Sequence, residues 1–177
     1  MDSANEREMV ESAKAGDTVA FERLLEPLMG PAHKLACGLL QDSYLAEDAV
    51  QEAAVNAWRK IGNLRGDAPF RPWFLGIVAN RCREVRRGTW WRLSTGADIH
   101  SDMPAPDDEA LRRIEVRRAL QRLGNRARLI VVLRLYLDLS WAEVASVAGG
   151  TEAGARTTLY RAIAKMRVGR DYSGVIV

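Results

Sequence analysis

Cysteine and histidine are scarce in this chain of 177 residues, which carries two of each. Cys37 and Cys82 lie in separate helical patterns without metal-type spacing and read as small buried apolar residues of a reducing compartment. His33 and Cys37, four apart, could face one metal ion, but only His100 and Cys82 remain to complete a set of four, so no metal is assigned. No apolar run approaches the length that spans a bilayer, and Glu6, Arg7, Glu8, Glu11, Lys14 and Asp17 leave no signal-peptide core in the first thirty residues. The expectation is a soluble, cytoplasmic protein with no membrane insertion of its own. A phosphate cradle of the form G-x-x-x-x-G-K-[ST] is also missing, and no cofactor is assigned. Glu47, Asp48 and Glu52 could hold magnesium on one helix, yet no general base or nucleophile stands nearby, so an enzyme is not expected.

What the chain does have is apolar residues, 47% of the total, mostly at helical spacing, with 28% charged residues between them. The net charge of +3 hides an asymmetry. Residues 1–88 carry 12 Lys/Arg against 13 Asp/Glu, residues 89–108 carry 1 against 4, and residues 109–177 carry 13 against 6. A basic C-terminal part is the electrostatic footprint of a module that docks on phosphates.

That basic part ends in Leu139–Met166. Ser140 and Glu143 form an S-x-x-E capping box, Val144, Ala145 and Ala148 follow at helical spacing, and Gly149-Gly150 supply a tight turn. Thr151 can cap a second helix with Ala155, Leu159, Ala162 and Met166 on one face and Arg156, Thr157, Tyr160, Arg161 and Lys165 on the other. This is the helix-turn-helix pattern, whose second helix can enter a major groove; an ordinary helical hairpin with a solvated basic face is the plainer alternative.

Upstream, Glu6–Ala15 reads as a short helix stopped by Gly16. Asp17 caps a long one whose buried stripe runs through Phe21, Leu24, Leu25, Leu28, His33, Leu35, Ala36, Leu39 and Leu40, with a kink expected at Gly30-Pro31. Ser43–Ile61 is a third helix; Ala46, Ala49, Val50, Ala53, Ala57 and Trp58 face inward, while Asp48, Gln51, Glu52 and Val55 make an acidic stripe. That stripe is either a solvated face or a docking surface for a basic partner. Asn63–Pro69 is a loop, and Phe70–Arg87 a helix with Phe70, Trp73, Phe74, Ile77, Val78, Cys82 and Val85 on its apolar side. Asn80, Arg83 and Arg87 align elsewhere on it, suited to a phosphate backbone, with the adjoining loop free to grip unstacked bases. Gly88–Pro106 breaks in composition and reads as an acidic linker, in which Trp90-Trp91 are expected to cap the first core. A helix from Asp107 or Asp108, buried through Leu111, Ile114, Leu120 and Leu123, leads to Gly124-Asn125, which ends it and can cap Arg126–Leu137. The fold class is all-α: two small helical domains, 1–88 and 108–170, joined by a flexible linker at 89–107, with a tail at 171–177 and the helix-turn-helix in the C-terminal domain.

The segments AEDAVQEAAVNAW at 46–58, LRGDAPFRPWF at 64–74 and LSWAEVASVAG…LYRAIAKMR at 139–167 resemble those of the extracytoplasmic-function group of bacterial sigma factors, in family order. The resemblance implies a sigma factor that binds core RNA polymerase and directs promoter-specific initiation, melting DNA by binding the opened strand. It implies that Asp48, Gln51, Glu52 and Val55 dock on the largest polymerase subunit. Asn63, Arg65, Gly66 and Asp67 would capture a flipped base of the minus-ten element, with Asn80, Arg83 and Arg87 holding the melted strand. The linker would thread toward the polymerase active centre. The second domain would sit on the second-largest subunit and read the minus-thirty-five element through Thr151, Ala153, Arg156, Thr157, Tyr160 and Arg161. Members of the group are usually restrained by an anti-sigma factor, so such a partner is expected. Gly154 and Thr158 depart from the group's usual hydroxyl-bearing and basic residues, which points to a weak or unusually selective minus-thirty-five reader. A stand-alone helix-turn-helix regulator, or a degenerate sigma-like protein that binds polymerase without melting DNA, are the alternatives.

Overall fold

Helix boundaries in the computed structural model follow from local capping chemistry. It describes residues 3–66, 68–93 and 108–171, with side chains over 4–66, 68–88 and 114–167. Helix α1 (Ser3–Lys14) ends before Gly16, whose φ of +100° only glycine adopts without strain. Helix α2 (Thr18–Leu40) begins where Asp17 Oδ1 accepts from the backbone of Val19 and Ala20, at 2.9 and 3.1 Å. It runs through Pro27 and Pro31 as one helix and stops at Gln41, which is left-handed at φ 60°. Asp42 caps α3 (Ser43–Lys60), and a 3-10 turn (Ile61–Asn63) follows.

Helix α4 spans Phe70–Leu93, six residues past the expected end at Arg87. Gly88 costs a helix only about 1 kcal/mol, and no proline follows it before residue 104, so nothing at residues 88–93 stops the helix. The linker reading from Gly88 is corrected to that extent; the side chains of Trp90 and Trp91 lie outside the described residues. In the second unit α5 (Asp108–Gln121) leads to α6 (Asn125–Val131), capped by Gly124 without a side-chain bond, so Asn125 is the first helical residue and not the cap. A π-helical turn (Val132–Tyr136), closed by the Leu137 N–H on the Val132 carbonyl at 3.0 Å, precedes α7 (Trp141–Ala148) and α8 (Glu152–Asp171). The wider turn rotates Leu135 and Tyr136 outward, to 58% and 63% exposure, although Val132 and Leu133 at its start are buried.

Phe21 of α2 packs against Trp58 and Phe70 at 5.1 and 6.1 Å between ring centroids, joining α2, α3 and α4. His33, expected on the α2 stripe, is exposed; Ala32, Leu35, Ala36 and Leu39 hold the helical repeat instead. Leu75 and Ala79 of α4 are buried as well, because α4 packs against α7 of the second unit in addition to α2 and α3.

The two units share one continuous core. A Cβ on Gly38 would come within 2.8 Å of Val132 Cγ2, so glycine is what lets α2 approach the π-helical turn this closely. Around this contact polar groups fasten the units. Arg128, 5% exposed, donates to the carbonyls of Leu120, Gln121 and Leu123 and, across the junction, to Leu39. Gln41 Nε2 donates to the Arg117 carbonyl at 3.0 Å and Arg117 Nη2 donates back to the Gln41 carbonyl. Arg71 of α4 donates to the Leu137 carbonyl at 3.1 Å and pairs with Glu143 at 3.5 Å.

Candidate interfaces for polymerase and DNA

The acidic stripe is a consequence of how α3 is buried. Ala46, Ala49, Val50, Ala53 and Ala57 pack inward, which turns Asp48, Gln51, Glu52 and Val55 outward; Val55 is 50% exposed. Asp48 has no ion-pair partner among the described residues. Glu52 does: its carboxylate lies 2.7 Å from Arg81 Nη2 of α4. Arg81 also binds Glu84 at 3.1 Å, and its Nε is buried without a hydrogen-bond partner. The Glu84 hydrogen bond is the largest influence holding this guanidinium charged, against the opposing cost of burial.

The loop after α3 is pinned at both ends. Ile61 and Leu64 are buried, and the Phe70 N–H that opens α4 is capped at 2.9 Å by Glu6 Oε1 from α1. Between these anchors Asn63, Arg65 and Gly66 are exposed, and Asp67 lies outside the described residues. Asn80, Arg83 and Arg87 are exposed on α4, with Arg83 Nη1 donating to Asn80 Oδ1 at 2.7 Å. Arg83 also stands at the lip of a cleft of about 180 Å3 between the units, floored by Leu39, Ala79 and Leu129.

The helix-turn-helix forms as its sequence dictates. Ser140 and Glu143 make the reciprocal capping box, and Thr151 Oγ1 accepts from the Gly154 N–H at 3.1 Å. Gly149 and Gly150 both have positive φ, and Arg126 of α6 locks the turn by donating to the Ala148 and Gly149 carbonyls at 2.8 and 2.6 Å. Ala155, Leu159 and Ala162 are buried, leaving Thr151, Ala153, Arg156, Thr157, Tyr160 and Arg161 on the exposed side. Thr157 turns its hydroxyl back onto the Ala153 carbonyl at 3.0 Å, so in this state its proton is spent within the helix.

Residues 22–92 match the Sigma-70 region 2 family and residues 113–166 match Sigma-70 region 4. The ECF RNA polymerase sigma factor SigM of Mycobacterium tuberculosis is 31% identical over 165 residues, covering 92% of this chain and 83% of that protein. The chain belongs to the extracytoplasmic-function sigma factors. As a member of that group it is a transcription-initiation factor. The probable RNA polymerase sigma factor RfaY of Xanthomonas campestris pv. campestris is 32% identical over 165 residues, 88% of this chain. The chain spans only 41% of that relative's length. Among solved structures, the sigma factor RpoE in complex with the anti-sigma factor NepR from Bartonella quintana has a TM-score of 0.68 at 22% identity. That likeness covers 83% of this chain and 94% of the other, and is one of fold.

In this sigma factor the surroundings of both thiols disfavour the thiolate. Burial pushes Cys82 up to about 12, and burial with the nearby Asp42 carboxylate pushes Cys37 upward too. Cys37 Sγ lies 3.6 Å from His33 Nε2, but among the described residues no group of three or more His, Cys, Asp or Glu gathers as metal ligands. No described helix is long and apolar enough to cross a membrane. The contacts of Arg81, Arg126 and Arg128 were not anticipated from the sequence. Arg128 alone left a trace, as the one charge on the inward side of the apolar segment 128–133.

Proposed function

We propose that this sigma factor binds the largest subunit of core RNA polymerase through Asp48, Gln51, Glu52 and Val55, with its second unit on the second-largest subunit. It reads the minus-ten element through Asn63, Arg65, Gly66, Asp67, Asn80, Arg83 and Arg87. It reads the minus-thirty-five element through Thr151, Ala153, Arg156, Thr157, Tyr160 and Arg161. The division of labour assigns residues 1–88 to docking and strand opening, 89–107 to the connection and 108–170 to duplex reading. Duplex recognition suits a rigid helix in the major groove, whereas an opened strand is held by a loop that accepts an unstacked base. The free energy of opening comes from that capture, so the protein carries out no catalysis of its own.

The observation that carries this reading is the exposure of each proposed contact residue whose side chain is described, on faces opposite the buried stripes. An anti-sigma partner is supported by the RpoE–NepR likeness, and a cytoplasmic setting by the polymerase it serves. Elements named for positions about 25 base pairs apart are roughly 85 Å apart along a duplex at 3.4 Å per step. A packed chain of this length is only about 40 Å across. The units therefore part on the promoter. Abortive transcription by core polymerase from promoter fragments, with and without this chain, tests the reading: synthesis that depends on the chain supports it. Binding of duplex DNA without any effect on polymerase would favour a stand-alone regulator.

A further inference from the structure

Arg156 projects from α8 among the proposed duplex contacts, yet it is not a free side chain. Its guanidinium carbon lies 5.2 Å from the centroid of the Trp141 indole, the first residue of α7. Its Nη2 lies 3.5 Å from the Glu152 carboxylate one turn earlier on α8. The same indole carries a second cation: Arg134, from the π-helical turn, also at 5.2 Å. Arg134 is itself anchored, Nη1 donating to Asp138 Oδ1 at 3.0 Å and to the Leu139 carbonyl at 2.8 Å. Trp141 is half-buried, and its backbone is fixed by the Ser140–Glu143 capping box just before it.

These contacts form one chain of groups running Asp138, Arg134, Trp141, Arg156, Glu152, which links the π-helical turn, α7 and the recognition helix. Two guanidiniums drawn to one ring repel each other, and the ring quadrupole together with a carboxylate at each end offsets that repulsion. Cation–π attraction does not consume the in-plane N–H donors with which arginine grips the O6 and N7 edge of guanine.

We propose that Trp141 and Arg134 are positioning residues for base reading by Arg156. They hold its guanidinium at a set angle before DNA arrives, so that less side-chain freedom is lost when the base contact forms. The inference rests on the assignment of α8 as the duplex reader.

The test uses holoenzyme made with the full chain and a duplex library randomised over the upstream element, read as base preference at each position. Arg156→Ala removes the preference at one base pair. Trp141→Leu weakens that same preference by about two- to tenfold while leaving the salt dependence unchanged, since phosphate contacts remain. Trp141→Phe, which keeps an aromatic face, restores most of it. In the free protein the Arg156 side-chain protons carry a ring-current shift that Trp141→Leu abolishes and Trp141→Phe retains. If Trp141→Leu fails to fold, Arg134→Gln takes its place, with a partial loss expected at the same base pair. Full preference in Trp141→Leu, or in Arg134→Gln where it substitutes, alongside loss in Arg156→Ala overturns the positioning role and leaves α8 as the reader. Full preference in Arg156→Ala overturns both.

Discussion

The guanidinium of Arg128, rooted in α6 of the second unit, donates at 3.2 Å to the carbonyl of Leu39 near the end of α2 in the first. The same group closes the carbonyl end of α5 through Leu120, Gln121 and Leu123, so one buried cation serves two helix C-termini, where the backbone dipoles favour positive charge. Burial, with the neighbouring Arg86 charge, pushes its pKa down to about 10, which still leaves it charged at neutral pH.

Arg128→Met should therefore loosen the junction and the second unit together. Leaving several buried carbonyls unpaired costs about 2–4 kcal/mol. The expected result is a lower melting temperature by calorimetry and a larger radius of gyration by small-angle scattering, with helix content by circular dichroism retained. An unchanged radius would show that Arg128 does not hold the units together.

Gly38 and Val132 should couple. Gly38→Ala gains about 1 kcal/mol of helix propensity but forces a methyl to within 2.8 Å of Val132 Cγ2, an overpacking penalty of about 1–3 kcal/mol. Adding Val132→Ala removes the clash. A double-mutant cycle by urea unfolding should show the pair to be more stable than the sum of the single changes predicts; simple additivity would mean that α2 does not meet the π-helical turn at this point.

Gly150 should not tolerate a side chain. Its φ is +97°, and a Cβ there would come within 2.9 Å of Arg126 Nη2, the group that ties down the turn. Gly150→Ala is expected to destabilise the second unit by about 1–2 kcal/mol or more and to weaken duplex binding, measured by hydrogen exchange of α7 and α8 and by anisotropy on promoter DNA.

Cys82 makes stability fall at high pH. Its folded pKa, about 12, lies above its ordinary value of 9.0, so the native state keeps a proton that the unfolded chain releases. The Cys82 contribution is complete below pH 9 and is lost as pH rises from about 9 toward 12. Thermal unfolding between pH 8 and 11 should show a steeper decline for the native chain than for Cys82→Ala. Alkylation of Cys82 by iodoacetamide at pH 8 should require unfolding.

Much of this was legible in the residues because short-range chemistry decides it. The capping box at Ser140 and Glu143, the caps at Asp17 and Thr151 and the glycine turn at 149–150 all sit where spacing alone puts them. The contact between the units was not legible. Leu75 and Ala79 belong to a second buried side of α4 that no single helical stripe reveals, and nothing in helical spacing sets Arg128 and Arg117 apart from the arginines around them. The π-helical turn escaped because Leu135 and Tyr136 continue an apolar pattern whose register the wider turn shifts. The exposed carboxylates of α3 were visible, but the hold of Arg81 on Glu52 depends on how α3 and α4 pack, which periodicity does not encode.

The stripe on α3 is the most direct place to test the account. Asp48→Lys and Glu52→Lys together leave the buried alanines of α3 untouched and reverse two exposed charges. Titration of labelled core polymerase with this variant should show at least a tenfold weaker association than with the native chain, with a reduced sensitivity to salt, while the circular dichroism spectrum is preserved. Association with core polymerase at native strength by a folded variant would contradict the account.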